Sequence, residues 1–353
     1  MFKKFLTIAA ASAVVASALM AGPANAAGVS IAGKGSSFAN SMLQACTAAY
    51  TTNTATYTST GSGTGRTEFA AGNVQWAATD APYTSGFPTS RYETIPLFGG
   101  PVAFAYSATG VRDGLQITPA IVSNILKGKI TKWNDPGIAK INPRVKLPNK
   151  TIKVAYRASG SGTNTNLTNY LSQTVGGWTA SNSDMVAAAG GSASFSSNAT
   201  AFANSQLLTA YIEDNTNVFG YFDLADAITA DVSIAKLKNA FGEYLAPTAP
   251  AASKFLSAQT PVKSTDDATE GTLAINFKLK VKGAYQLSIV TYGLAPRNAN
   301  FPAKSTNATK LAVQNWFSYI VNSCVPSKAA RLGYVPITGA LKTAVRGQIA
   351  KIG

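Results

Sequence analysis

This chain has no histidine among its 353 residues. Serine–histidine–aspartate and cysteine–histidine catalysis are therefore excluded, and most zinc chemistry with them. Cysteine is nearly absent as well: Cys46 and Cys324 are the only two, and they lack the spacing of a metal site. Each lies on an apolar stripe of helical period, with Phe38, Met42 and Ala49 around the first and Trp316, Phe317 and Ile320 around the second. Two readings stay open, a pair of buried free thiols or a disulfide joining the first helix to the last. Neither makes these residues catalytic.

Charge is scarce too, at 13% of residues, and acids are the scarcer sign: 15 against 30 Lys and Arg, a formal net charge of +15. Such a balance favours anionic partners, among them phosphate, a cell-wall polyanion, nucleic acid or lipid head groups. Residues 127–157 hold nine basic residues against one acid, Asp135. Few aromatics interleave there, so the run reads as a solvated face and not as a specific nucleic-acid platform.

Long apolar runs are missing except at the start. Lys3 and Lys4 precede an apolar stretch from Phe5 to Met20, and Ala24-Asn25-Ala26 supplies small residues at a cleavage position. Residues 1–26 are expected to be a signal peptide. No cysteine follows the apolar run to carry a lipid, and no later segment is long and apolar enough to span a bilayer. The expectation is an exported protein with neither lipid anchor nor transmembrane segment. Its length suits about two domains.

The signatures of common enzymes are also missing. There is no Gly-x-Ser-x-Gly nucleophile elbow and no Gly-x-x-x-x-Gly-Lys-Ser/Thr phosphate loop. The densest acids, Asp266, Asp267 and Glu270, read as a helix start, not as a metal or acid–base site. No catalytic group, cofactor or metal site is expected.

What the sequence does contain is a repeated unit. Strand-like alternation, a Gly/Ser loop and a helix recur around residues 33–38, 61–65 and 160–163, and Gly-Ser-Gly-Thr occurs at both Gly61 and Gly160. Each unit sets unpaired N–H groups and the positive end of a helix dipole just after the loop. Convergence of three such ends would make an anion site. The alternation of strands and helices reads as an α/β protein. Residues 178–206 carry the least pattern and read as surface loops with one short helix.

Taken in order, "GKGSSF", "GSGTGRTEFAAGNVQWAATDAP", "ILKGKITKWNDPGIAKINP", "YRASGSGTN", "VFGYFDLADA", "AKLKNAFGEYLAPT" and "LGYVPI" resemble the phosphate-binding proteins of bacterial ABC phosphate importers. The resemblance covers nearly the whole chain beyond residue 26. It implies the type II periplasmic-binding-protein fold: two α/β lobes, each a mixed sheet flanked by helices, with the ligand cleft at the hinge. Lobe I would comprise 27–100 and 285–353, and lobe II 101–284. It also implies a monomer that binds inorganic phosphate and delivers it to a membrane ABC permease. The ligand residues carried over are Ser37, Phe38, Ser62, Asp80, Arg157, Ser161, Gly162 and Thr163. Arg157 would supply the permanent charge, and Asp80 would accept the anion's own proton, which phosphate has and sulfate lacks. This chain departs from the family pattern at Ser159, where an acid usually braces the arginine, and at Lys34 and Arg66, where small and apolar residues are common. Those departures bear on affinity and selectivity. The competing reading is an exported interaction protein on the same scaffold, holding another oxyanion or a polyanion such as a cell-wall polymer or nucleic acid.

Overall fold

The structure, a computed structural model, describes residues 28–83, 89–230, 232–263, 271–297 and 305–353. The signal-peptide segment 1–26 and the Asp266, Asp267 and Glu270 group lie outside the described residues.

Among the described residues the main sheet has ten strands: eight run across it in the order Thr54–Ser59, Ser30–Gly35, Trp76–Thr79, Ser288–Pro296, Tyr92–Ser107, Val218–Asp223, Lys153–Arg157 and Ala199–Phe202, and the short Val335–Pro336 and Ser233–Ile234 also pair with Tyr92–Ser107. The 16-residue strand Tyr92–Ser107 ties the two halves together. Its first part, from Tyr92 to Pro101, pairs antiparallel with Ser288–Pro296, and from Val102 onward it pairs with Val218–Asp223. The exchange of partners falls between Pro101 and Val102, and Pro101, which cannot donate to a ladder, ends the first pairing. The fold is α/β and two-lobed.

Within each half the strands Ser30–Gly35, Thr54–Ser59 and Trp76–Thr79, and again Lys153–Arg157, Ala199–Phe202 and Val218–Asp223, are parallel. Parallel strands covered by helices are buried on both faces. That explains why "WAAT" and "VFGYFD" are buried at every position. It also places helix N-termini at the carboxyl ends of the strands, the edge where open α/β sheets bind ligands.

Four such starts matter here: the turn before Asn40–Thr47, and the helices Ser62–Ala70, Gly162–Thr174 and Ser205–Asp214. Three were legible. The fourth corrects the reading of residues 178–206 as loops with one short helix. After the short helix Met185–Ala189 the chain forms the strand Ala199–Phe202 and enters Ser205–Asp214. That strand is four residues long at the sheet edge and is nowhere fully buried, so it leaves no apolar alternation to read.

Cys46 and Cys324 form a disulfide with Cα atoms 5.6 Å apart. It joins the helix Asn40–Thr47 to the π-helical turn Ile320–Cys324, which is not the last helix: Val325–Lys328 and Gly339–Ala350 follow. Beside it Trp76, Trp316, Tyr50 and Phe317 pack ring against ring in the core. No helix among the described residues is long and apolar enough to cross a membrane. The basic run 127–157 is only partly a solvated face: Lys129, Lys132, Lys140, Arg144, Lys146, Lys150 and Lys153 are exposed, whereas Arg157 is buried.

Candidate functional site

The strand Trp76–Thr79 ends directly before Asp80, which is 3% exposed. A carboxylate so buried must be matched by donors, and three hydroxyls provide them. Ser36 Oγ lies 2.8 and 2.6 Å from the two carboxylate oxygens, Thr291 Oγ1 donates at 2.7 Å and Ser62 Oγ at 3.3 Å. Burial pushes the Asp80 carboxyl up, against those hydroxyls and the charge of Arg157. Three donors leave room for one more at a group with about four acceptor sites.

Arg157 ends the strand Lys153–Arg157 and is 2% exposed. Its Nη1 donates to Ser37 Oγ at 2.5 Å and to Ser205 Oγ at 3.1 Å. On its other edge Nη2 donates to the Ala203 carbonyl at 2.9 Å and Nε to that of Phe202 at 3.4 Å. Burial lowers its pKa, opposed by Tyr221 and by the charges of Asp80, Asp223 and Asp226. No carboxylate among the described residues forms an ion pair with it. The brace that an acid would give from position 159 comes from two backbone carbonyls, while Ser159 itself is exposed. A clamp fixes the strand end: Tyr221 OH donates to Asn164 Oδ1 at 2.6 Å, and Asn164 Nδ2 donates to the Arg157 carbonyl at 2.7 Å.

The two Gly-Ser-Gly-Thr segments meet face to face. Gly63 N donates to the Gly160 carbonyl at 2.7 Å. A Cβ on Gly162 would lie 2.4 Å from Ser62 Oγ and 2.9 Å from Asp80 Cβ. These residues do not form a loop ahead of each helix. Ser62 is the first residue of its helix, and Ser161 is the N-cap of the other, accepting from Asn164 N at 3.2 Å. The Thr163 hydroxyl is buried and has no hydrogen-bond partner among the described residues. Phe38 follows Ser37; its ring packs edge-on against Tyr334, whose hydroxyl donates to the Phe38 carbonyl at 2.7 Å.

The structure thus gathers Ser37, Phe38, Ser62, Asp80, Arg157, Ser161, Gly162 and Thr163 at one place. It adds Ser36, Thr291 and Ser205. Ser36 stood next to a predicted residue and could have been found. Thr291 lies inside a buried strand with no local signal. Ser205 follows Asn204, whose side chain caps the helix at Leu207 N, and Asn before an apolar helical run was the available clue. Of the two extra cations, Lys34 is turned away into an ion pair with Glu68 at 2.9 Å. Arg66 lies beside Asp80 and donates to the Ala81 carbonyl at 2.6 Å.

A cleft between two α/β halves, with helix starts, serine hydroxyls and one buried guanidinium around it, defines a solute-binding protein. Residues 21–323 match the PBP superfamily domain, and the chain belongs to that family. Among its relatives, the phosphate-binding protein PstS of Xylella fastidiosa (strain Temecula1) is 27% identical over 314 residues, covering 88% of this chain and 82% of that one. PstS of Haemophilus influenzae is 26% identical over 324 residues, covering 90% and 92%. A high-affinity periplasmic phosphate-binding protein (PfluDING), solved bound with phosphate, superposes with a TM-score of 0.71 at 18% identity, over 90% of this chain and 93% of that one. A human phosphate binding apolipoprotein superposes at 0.69, with the same identity and coverage. At that identity the structural likeness speaks for the fold.

Proposed function

We propose that this chain is an exported solute-binding protein that closes on one inorganic phosphate and hands it to a membrane ABC importer. One observation carries the reading: a buried cation, Arg157, bonded to the hydroxyls of Ser37 and Ser205, and a buried carboxylate, Asp80, bonded to those of Ser36, Ser62 and Thr291, stand at strand ends of the two halves, with the adjacent Ser36 and Ser37 serving one each. Arg157 neutralises the anion. Asp80 accepts the proton that phosphate carries at neutral pH and repels a fully ionised sulfate, which has none to share. Ser37, Phe38, Ser62, Ser161, Gly162 and Thr163 supply hydroxyls and helix-start N–H groups. Micromolar affinity requires about −8 kcal/mol. Charge-assisted hydrogen bonds of roughly 1.5–3 kcal/mol each reach it even after desolvation and closure are charged against them.

The lobe boundaries proposed are 27–100 with 285–353, and 101–284. The exchange of strand partners at Pro101 and Val102 supports that division. The relatives named phosphate-binding protein PstS support phosphate as the ligand. The test is calorimetry on protein that has been unfolded, freed of ligand and refolded. Phosphate should bind at micromolar affinity or tighter and sulfate should give no heat. Equal binding of both would remove the role assigned to Asp80, and silence from both in folded protein would remove the function.

A further inference from the structure

Gln206, beside the site, makes three hydrogen bonds with its side chain. Its Nε2 donates to the Ser37 carbonyl at 3.2 Å and to Asp226 Oδ2 at 2.8 Å, while its Oε1 accepts from Ser59 Oγ at 3.0 Å. Two acceptors at one end of the amide and a hydroxyl at the other fix which way it faces. Asp226 is buried and accepts, through Oδ1, from Ser41 Oγ at 3.3 Å. Ser205 directly precedes Gln206, and its N–H donates to Ser37 Oγ at 3.1 Å. Consecutive residues at the start of the helix Ser205–Asp214 thus grip Ser37 by its hydroxyl and by its carbonyl.

The grip on the carbonyl decides where a neighbouring donor points. The Ser37 carbonyl and the Phe38 N–H belong to one planar trans peptide unit and face opposite ways. Holding the carbonyl against Gln206 therefore turns the Phe38 N–H to the other side. That N–H donates to no described residue, and it is one of the helix-start donors assigned above to phosphate. Asn40 N also reaches the Ser37 carbonyl, at 3.3 Å, but it lies in the same turn and moves with it. Gln206 holds the peptide from outside. Under the lobe division proposed above, Gln206 and Asp226 stand on one lobe, and Ser37, Ser41 and Ser59 on the other.

Resting on the phosphate-site reading, we propose that Gln206 is a positioning residue for phosphate: it aims the Phe38 N–H at the anion as the lobes close, with Asp226 and Ser59 fixing its side chain. It acts through the peptide and not on the anion. Its contribution falls on the closed state, so it sets how long phosphate stays. The encounter of phosphate with the open cleft does not involve it.

The test times phosphate binding and release on refolded, ligand-free protein, with labelled phosphate chased by an excess of unlabelled. Gln206→Met keeps the length of the side chain and loses the amide. It should release phosphate about tenfold faster, the worth of one bond to a charged ligand, with an association rate within about twofold of wild type. Because the grip forms on closure, the ligand-free variant should melt at the wild-type temperature. Asp226→Leu, which frees Gln206, should also speed release. Asp226→Asn, whose carbonyl still accepts from Gln206, should bring release back to within about twofold of wild type. Wild-type release from Gln206→Met would overturn this proposal and leave the phosphate-site reading standing. A lowered ligand-free melting temperature with no change in release, or equal release from the two Asp226 variants, would overturn it too. Failure of wild-type protein to bind phosphate would remove both readings.

Discussion

Arg157 Nη1 lies 2.5 Å from Ser37 Oγ, although 120 residues separate them in the chain. The contact joins the end of one parallel strand to the helix start beyond another, and so joins the two halves of the sheet. Because Phe202 and Ala203 carbonyls grip the other edge of the guanidinium, its position depends on the planar fork and not on charge alone. Arg157→Lys keeps the charge and loses the fork. It is expected to weaken phosphate by roughly 1.5–3 kcal/mol, about ten- to a hundredfold in Kd. Arg157→Ala should lose more. Calorimetry checks both, and a Kd unchanged in Arg157→Lys would show that the carbonyl brace has no part in binding.

Asp80 should decide between anions. Asp80→Asn keeps a side chain of the same shape that can still accept from Ser36 and Thr291, and it removes the repulsion towards sulfate. The expected result is weaker phosphate binding and measurable sulfate binding, so that the ratio of the two affinities falls at least about tenfold, a change of about 1.4 kcal/mol. Parallel titrations at one ionic strength read it directly. A variant that still ignored sulfate would place the discrimination elsewhere in the cleft.

How much of this was legible follows from which residues signal locally. The Gly-Ser-Gly-Thr segments could be read because glycine and serine at a helix start have a backbone reason to be there. Asp80 and Arg157 end strands and differ from neighbouring polar residues only in what they meet across the cleft, so their roles came through the family resemblance. Thr291 and Ser205 were missed because their partners lie 211 and 48 residues away, at Asp80 and Arg157. The α/β alternation was legible and the two lobes came through the same resemblance, but the strand Tyr92–Ser107 that links the halves was not: residues buried on both faces show no alternation.

Asp223 and Asp226 sit together behind the site, with Asp226 N donating to Asp223 Oδ1 at 2.9 Å and Gln206 Nε2 donating to Asp226 Oδ2 at 2.8 Å. Burial pushes the Asp223 carboxyl well up and the Asp226 charge pushes it further; burial raises Asp226 as well. The folded chain therefore keeps a proton that the unfolded chain releases near pH 4, and stability falls as pH rises through the raised pKa. Glu68 and Glu243, whose pKa values are lowered, act in the opposite sense. Their contribution is complete above about pH 5.5. Urea unfolding should show stability declining as pH rises above about 5.5, by up to about 1.4 kcal/mol per pH unit for each retained proton. Asp223→Asn should flatten that decline. A flat wild-type profile would contradict the assignment.

The Cys46–Cys324 bridge closes a sequence separation of 278 residues and ties the helix Asn40–Thr47, just beyond Ser37 and Phe38, to the C-terminal helices. A bridge of that span constrains the unfolded chain strongly, and removing such a bond costs roughly 2–5 kcal/mol. Replacing both cysteines with serine, or reducing the wild-type protein, should lower the melting temperature by several degrees. Phosphate binding should persist in the fraction that remains folded, since neither sulfur faces the cleft residues. Equal melting temperatures with and without reductant would show that the bridge adds nothing to stability.

Gly162 separates closure from folding. It opens the helix Gly162–Thr174 at a position where a methyl group would meet Ser62 Oγ at 2.4 Å and Asp80 Cβ at 2.9 Å. The serine hydroxyl can rotate away, but the aspartate Cβ is fixed by its backbone, so the two halves cannot close fully on an alanine. Overpacking of this kind costs roughly 1–3 kcal/mol, and here it falls on the closed state alone. Within the helix alanine is preferred to glycine by about 1 kcal/mol. Gly162→Ala should therefore weaken phosphate about tenfold or more while the ligand-free protein melts at the same temperature or slightly higher. Gly160→Ala should behave oppositely: its φ of +87° strains any side chain, so stability falls first. If Gly162→Ala bound phosphate as well as wild type, the close contact between Gly162 and Asp80 would not belong to the ligand-bound state.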